Sequence, residues 1–96
     1  MSEITIPETG NAVLKFGADW CGPCKHLKPL IEELKEENKD MLFLDIDVDE
    51  YPDLAQKFGV RGIPMTVFLR DGEVLSSVVG VKPKAEFQEH INLLGE

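Results

Sequence analysis

The sequence predicts a single α/β domain, a mixed sheet of four or five strands flanked by about three helices. Three observations carry this. A strand, a helix and a second strand follow one another before residue 47, and such a crossover demands a parallel pair. Two β-rich segments later in the chain meet at Asp71-Gly72, a two-residue hairpin signature that demands an antiparallel pair. The chain is 96 residues long, enough for one core and too short for two, so residues 1–96 form one domain.

Taken in order, residues 1–11 are polar and interrupted by Pro7 and Gly10, and only the Ile4, Ile6 alternation suggests a short edge strand over 3–6. The segment is an arm or a weak edge strand. Ala12 to Phe16 is a short apolar run broken by Lys15, which reads as a strand leading into the turn that holds the cysteines. From Cys24 onward, Leu27, Leu30, Ile31 and Leu34 make a helical stripe, and Pro29 inside it removes one backbone donor. Met41 to Ile46 reads as a buried strand with Asp45 as its exception.

A two-turn helix fits Pro52 to Phe58, with proline in its first turn and Gly59 free to adopt the left-handed stop. Met65 to Leu69 and Val74 to Val79 are the arms of the hairpin, and Gly80 ends the second. In the tail, Phe87, Ile91 and Leu94 share one face, predicting a closing helix over Pro83 to Leu94 without a side-chain cap.

Eighteen acidic against ten basic residues give a net charge of −8, which repels phosphate backbones and anionic lipid. Neither nucleic acid nor membrane is an expected partner. No apolar stretch is long enough to span a bilayer, and the first eleven residues lack the pattern of a signal peptide, so a cytoplasmic, monomeric protein is expected.

Cys21 and Cys24 are the only cysteines, too few for a disulfide-stapled scaffold. Their spacing keeps both sulfurs on one side of a first helical turn. There the helix dipole and unpaired N–H groups favour a Cys21 thiolate, with Cys24 placed one turn on to resolve a mixed disulfide. Gly22 allows close approach of a substrate backbone, and Pro23 sets the helix start. An inert buried pair and a metal pair joined by His26 or His90 are the competing readings; the haem motif is excluded because Lys25, not histidine, follows Cys24.

The run Ala18-Asp19-Trp20-Cys21-Gly22-Pro23-Cys24-Lys25, followed by Gly59-Val60-Arg61-Gly62-Ile63-Pro64, resembles the two signatures of the thioredoxin family over Ala12 to Leu94. The resemblance implies a thioredoxin fold and a protein-disulfide reductase. It implies a cis Pro64 beside the dithiol and an apolar substrate surface of Trp20, Gly22, Pro23, Val60, Ile63, Gly80 and Val81. No cofactor is bound on this reading: the Cys21–Cys24 disulfide is recharged by NADPH through thioredoxin reductase. Ribonucleotide reductase and peroxidases are among the implied clients. A binding module with incidental thiols, and an oxidant or isomerase, are the alternatives.

Two departures from the resemblance stand out. Only eleven residues precede the strand at Ala12, too few for an opening strand and helix, so a trimmed fold with one less-covered sheet face is expected. Lys15 stands where the family commonly buries an aspartate, and Asp45 where it often carries a lysine. A reversed Lys15–Asp45 ion pair behind Cys24 is expected, with Lys15 a weaker proton acceptor than a carboxylate. The competing reading has Lys15 reaching out to solvent.

Overall fold

The computed structural model describes residues 4–96, arranged as β1 (Asn11–Gly17), α1 (Gly22–Glu37), β2 (Leu42–Asp47), α2 (Pro52–Lys57), β3 (Met65–Arg70), β4 (Glu73–Val79) and α3 (Lys84–Leu94). The strands form one sheet in the order β2-β1-β3-β4. β1 and β2 run parallel, as the α1 crossover requires; β1–β3 and β3–β4 are antiparallel. The β3–β4 turn closes through Asp71 and Gly72, both with positive φ (51° and 81°), the conformation that a two-residue turn of this hand needs.

The sheet has two apolar faces because its strands alternate. Val13, Phe68 and Val78 join Leu27, Ile31 and Leu34 of α1 and Phe87, Ile91 and Leu94 of α3. On the other face Ala12, Leu14, Phe16, Ile46, Val67 and Leu69 pack with Leu54, Ala55 and Phe58 around α2. Of the α1 stripe read from sequence, Leu27, Ile31 and Leu34 are buried and Leu30 is half-buried, and Phe87, Ile91 and Leu94 of α3 are buried.

α3 lacks a side-chain N-cap. Its far end is held instead: Arg70 donates to the Leu93 and Leu94 carbonyls and the Asn11 amide donates to Leu94. A cation and an amide donor at a helix C-terminus satisfy orphan carbonyls, and the cation opposes the dipole's negative end. Lys84 at the other end pairs with Glu33 and Glu37 of α1, and its hydrogen bond to Glu37 raises its pKa. Asn38 and Gln88 exchange two amide hydrogen bonds (3.0 and 3.1 Å), tying the end of α1 to α3.

The suggested fifth strand does not form among the described residues; Glu3, where it would begin, lies outside them. Gly10 and Asp71 exchange two hydrogen bonds, Gly10 N–H to Asp71 Oδ1 (2.8 Å) and Asp71 N–H to the Gly10 carbonyl (2.9 Å). The arm is thereby anchored at the β3–β4 turn rather than along the free edge of β2. Ile4 and Ile6 pack on the α2-side cluster, so the arm covers part of the face expected to be thinly covered.

Among the described residues one buried side-chain polar atom lacks a partner. Thr66, fully buried on β3 opposite Lys15, has a hydroxyl with no hydrogen bond. A buried unpaired hydroxyl forfeits its hydration without compensation. Thr66→Val is expected to raise the unfolding free energy by about 1 kcal/mol, read from urea or thermal melts; a loss of stability would show that the hydroxyl has a partner in solution.

Candidate active site

Sheet register brings four connections to one end of the molecule. Gly17 ends β1 opposite Asp47 of β2, Phe16 pairs with Met65 at the start of β3, and Met65 pairs with Val79 at the end of β4. The Ala18–Cys21 turn, the loop after β2, the Ile63–Pro64 dipeptide and Gly80–Val81 therefore share that end. Two bonds lock them. Val48 N–H donates to the Gly17 carbonyl (2.9 Å), and Gly80 N–H donates to the Pro64 carbonyl (2.8 Å). The Ile63–Pro64 peptide is cis, as the family resemblance implies, and Pro64 is buried.

Cys21 is the N-cap of α1, with extended backbone (φ −86°, ψ 111°), and its sulfur accepts the Cys24 backbone N–H at 3.2 Å. Gly22 and Pro23 are the first helical residues, so the helix starts two residues before the apolar stripe marks it. Proline here removes a donor that had no intrahelical acceptor. Cys21 and Cys24 form a disulfide, with Cα atoms 5.4 Å apart. Each is only 4% exposed, with Cys21 capping the helix and Cys24 in its first turn. Among the described residues no three His, Cys, Asp or Glu side chains converge as metal ligands would.

The remaining candidates divide by position. Trp20 projects from the turn, 69% exposed, while its indole N–H donates to Asp49 Oδ2 at 2.7 Å. Gly22 and Pro23 are exposed, Ile63 and Gly80 half-buried, and Val81 exposed. Val60 packs against the α2-side core, which is the structural alternative to a surface role. The exposed Val79 and the indole's anchor Asp49 were not singled out from sequence. Asp49 belongs to an acidic run that reads as solvated loop, and nothing local marks it as an indole acceptor.

Lys15 and Asp45 are opposite one another in the β1–β2 register, and Lys15 Nζ lies 3.5 Å from Asp45 Oδ1. The expected pair forms, but it is not buried as a unit: the Lys15 side chain is 10% exposed and the Asp45 side chain 72%. Asp45 stands on an edge strand, where its carboxylate stays hydrated and avoids the penalty of burying both charges. Lys15 is not solvated on the surface, which removes the competing reading. Its Cε and the Cys24 sulfur approach the same point, 3.8 and 3.2 Å from where a Cβ on Gly17 would stand.

The cap bond and the helix N-terminus both favour negative charge on Cys21. In the reduced protein with Cys24 replaced by serine, Cys21 is expected to titrate below the ordinary thiol value of about 8.5. With Cys21 replaced, Cys24 is expected to titrate higher than Cys21 does. Ultraviolet thiolate absorbance against pH measures both; equal values would deny the cap its effect.

Comparisons with known proteins agree with this geometry. The thioredoxin family model matches residues 2–93. Thioredoxin of Bacillus subtilis is 48% identical over 84 residues, spanning 86% of this chain and 81% of that protein. The mitochondrial thioredoxin-2 of Schizosaccharomyces pombe is 43% identical, spanning 80% of this chain and 62% of that protein. Among solved structures, a mutant thioredoxin from Halobacterium salinarum superposes with a TM-score of 0.84 at 40% identity, covering 92% of this chain and 77% of that one. With its redox-active Cys21–Cys24 pair, the chain belongs to the thioredoxin family of dithiol–disulfide oxidoreductases, in which the cysteine pair itself takes up and gives up the electrons.

Proposed function

We propose that this protein is a cytoplasmic, monomeric carrier that reduces protein disulfides through Cys21 and Cys24. The observation that carries the reading is the capping bond from Cys24 N–H to the Cys21 sulfur, inside a disulfide that closes one helical turn. The Cys21 thiolate attacks a substrate disulfide, forming a mixed disulfide and expelling one substrate thiolate. Cys24 then attacks the Cys21 sulfur, re-forming the Cys21–Cys24 bond and releasing the second substrate thiolate. Two electrons pass to the substrate, and a separate reductase returns the disulfide to the dithiol. Thioredoxin reductase, drawing on NADPH, is the recharging partner on this reading, with ribonucleotide reductase or peroxidases among the clients.

Trp20, Gly22, Pro23, Ile63, Pro64, Gly80 and Val81 form the docking surface. An indole this exposed, yet anchored by a hydrogen bond, is a preorganised apolar contact. The Gly80–Pro64 bond joins two of the loops that would flank an extended substrate. A cysteine pair used for exchange rather than stapling suits a reducing compartment, and the net charge of −8 opposes self-association.

Lys15 acts on Cys24 as a positioning residue. Its side chain passes Gly17, where the Cys24 sulfur also lies, and a cation on that side favours thiolate character, while solvated Asp45 limits the effect.

Insulin reduction driven by NADPH and thioredoxin reductase tests the function. Wild type is expected to turn over, and Cys21→Ser to lose at least about 10³-fold of that rate, the scale of removing a covalent nucleophile; equal rates in the two proteins would reject the reading. Lys15→Met removes the cation, so Cys24 is expected to titrate at higher pH and the rising limb of the pH–rate profile to move the same way. An unmoved titration and profile would take Lys15 out of the mechanism.

A further inference from the structure

Gly17 and Asp47 are paired at the ends of β1 and β2. From them the chain leaves in two separate turns, tied at their base by the Val48 N–H to Gly17 carbonyl bond (2.9 Å). The turn after Gly17 carries Trp20 and is closed by Cys21 N–H to the Ala18 carbonyl (3.1 Å). The turn after Asp47 is held by that residue twice over. Its carbonyl accepts from Glu50 N–H (3.2 Å) and Tyr51 N–H (2.8 Å), and its Oδ1 accepts from Asp49 N–H (2.8 Å) and Glu50 N–H (3.3 Å). A carboxylate that binds the N–H groups two and three residues ahead holds a turn in one conformation.

The bond to Asp49 N–H bears on the site. It fixes the backbone from which the Asp49 carboxylate reaches the Trp20 indole N–H at 2.7 Å. An indole that is 69% exposed has little packing to orient it. Its direction is therefore set by Asp49, whose own placement is set by Asp47.

We propose that Asp47 is a positioning residue for protein substrates: acting through Asp49, it holds Trp20 in the orientation that an extended protein segment meets beside Cys21. The proposal rests on the dithiol reading above and deepens it, because it names the residue that sets the docking surface for large substrates. With the ring ordered in the free protein, a client does not have to order it on binding. A disulfide too small to span from Cys21 to Trp20 gains nothing from that order. Asp47 thus favours protein disulfides over small ones, while the exchange steps at Cys21 and Cys24 are the same for both.

The test compares reduced proteins, prepared with dithiothreitol and freed of it, in their rates towards insulin as the protein disulfide and hydroxyethyl disulfide as the small one. The ratio of the two rates removes any change in thiolate reactivity. Asp47→Ala is expected to lower the insulin-to-small-disulfide ratio about fivefold, the scale of one lost hydrogen bond. Asp47→Asn keeps an oxygen acceptor without the charge and is expected to stay within about twofold of wild type. Asp47→Glu keeps the charge but displaces the acceptor, so it is expected to behave as Asp47→Ala does, and it replaces that variant if the alanine protein does not fold. Combining Asp47→Ala with Asp49→Ala is expected to lower the ratio no further than Asp49→Ala alone, because the first residue acts through the second. Trp20 is the only tryptophan, so its indole N–H gives a single NMR resonance. That proton is expected to exchange with water faster in Asp47→Ala and Asp47→Glu and at the wild-type rate in Asp47→Asn. An unmoved ratio, an unmoved indole exchange, an Asp47→Asn protein that falls with Asp47→Ala, or an additive double change overturns the proposal. Insulin reduction that requires Cys21, beside an unmoved ratio, sinks the role of Asp47 alone; a wild type that reduces no insulin sinks the dithiol reading instead.

Discussion

The site depends on one hydrogen bond, from the Cys24 backbone N–H to the Cys21 sulfur, and on the turn that makes it possible. A sulfur can cap a helix only if its residue stays extended while the next residue is already helical, which is the conformation of Cys21 and Gly22. That conformation in turn needs β1 to deliver the chain at a fixed place. β1 can do so because it is the one strand held on one side by a parallel and on the other by an antiparallel neighbour, with every residue from Ala12 to Gly17 buried. The most constrained strand therefore leads directly into the reactive turn.

α1 bears the complementary load. Its N-terminal turn holds the disulfide, while Leu27, Ile31 and Leu34 bury against the sheet and Phe87, Ile91 and Leu94 of α3 pack beside them. Burial of side chains of this size contributes about 1.5–3 kcal/mol each, whereas a helix terminus favours a nearby anion by about 0.3–1 kcal/mol, and up to ~2 in partly buried geometry. The packing term is the larger by far, so the orientation of α1 is decided by its stripe and its electrostatics then act from a fixed direction. Pro29 lies inside this helix without ending it, since tertiary burial on both sides of it outweighs one missing backbone donor.

Most of this framework was legible in the sequence. Apolar spacing located α1 and α3, the Asp71-Gly72 pair located the hairpin, and the cysteine signature located the chemistry. Each rests on local rules: helical period, turn conformation, motif spacing. Where chemistry depends on partners distant in sequence, local rules fail. The Trp20–Asp49 bond spans 29 residues and the Asn38–Gln88 exchange spans 50. Helix periodicity begins only at Cys24; the earlier start was marked by Pro23, and the structure puts the boundary at Gly22 with Cys21 as the cap. Of the two readings of the opening segment, residues 4–6 take the arm, since alternation of Ile4 and Ile6 signals a face that packs but not whether the backbone pairs.

The polarity of the sheet beneath Cys24 follows from the same topology. Asp45, Lys15 and Thr66 are in register across β2, β1 and β3, a polar row on the face that α1 covers. A cation in the middle of such a row needs a counter-charge, and removing both ions from water would cost several kcal/mol each. β2 is an edge strand, so Asp45 can pair with Lys15 while remaining hydrated, and only one member of the pair is withdrawn from solvent. Thr66, on the interior strand β3, has no such access, and its hydroxyl is left without a partner. Position across the sheet thus sorts the three polar residues into a hydrated anion, a buried cation and an orphaned hydroxyl. Of the three, Lys15 brings its side chain beside Gly17, where the Cys24 sulfur also lies.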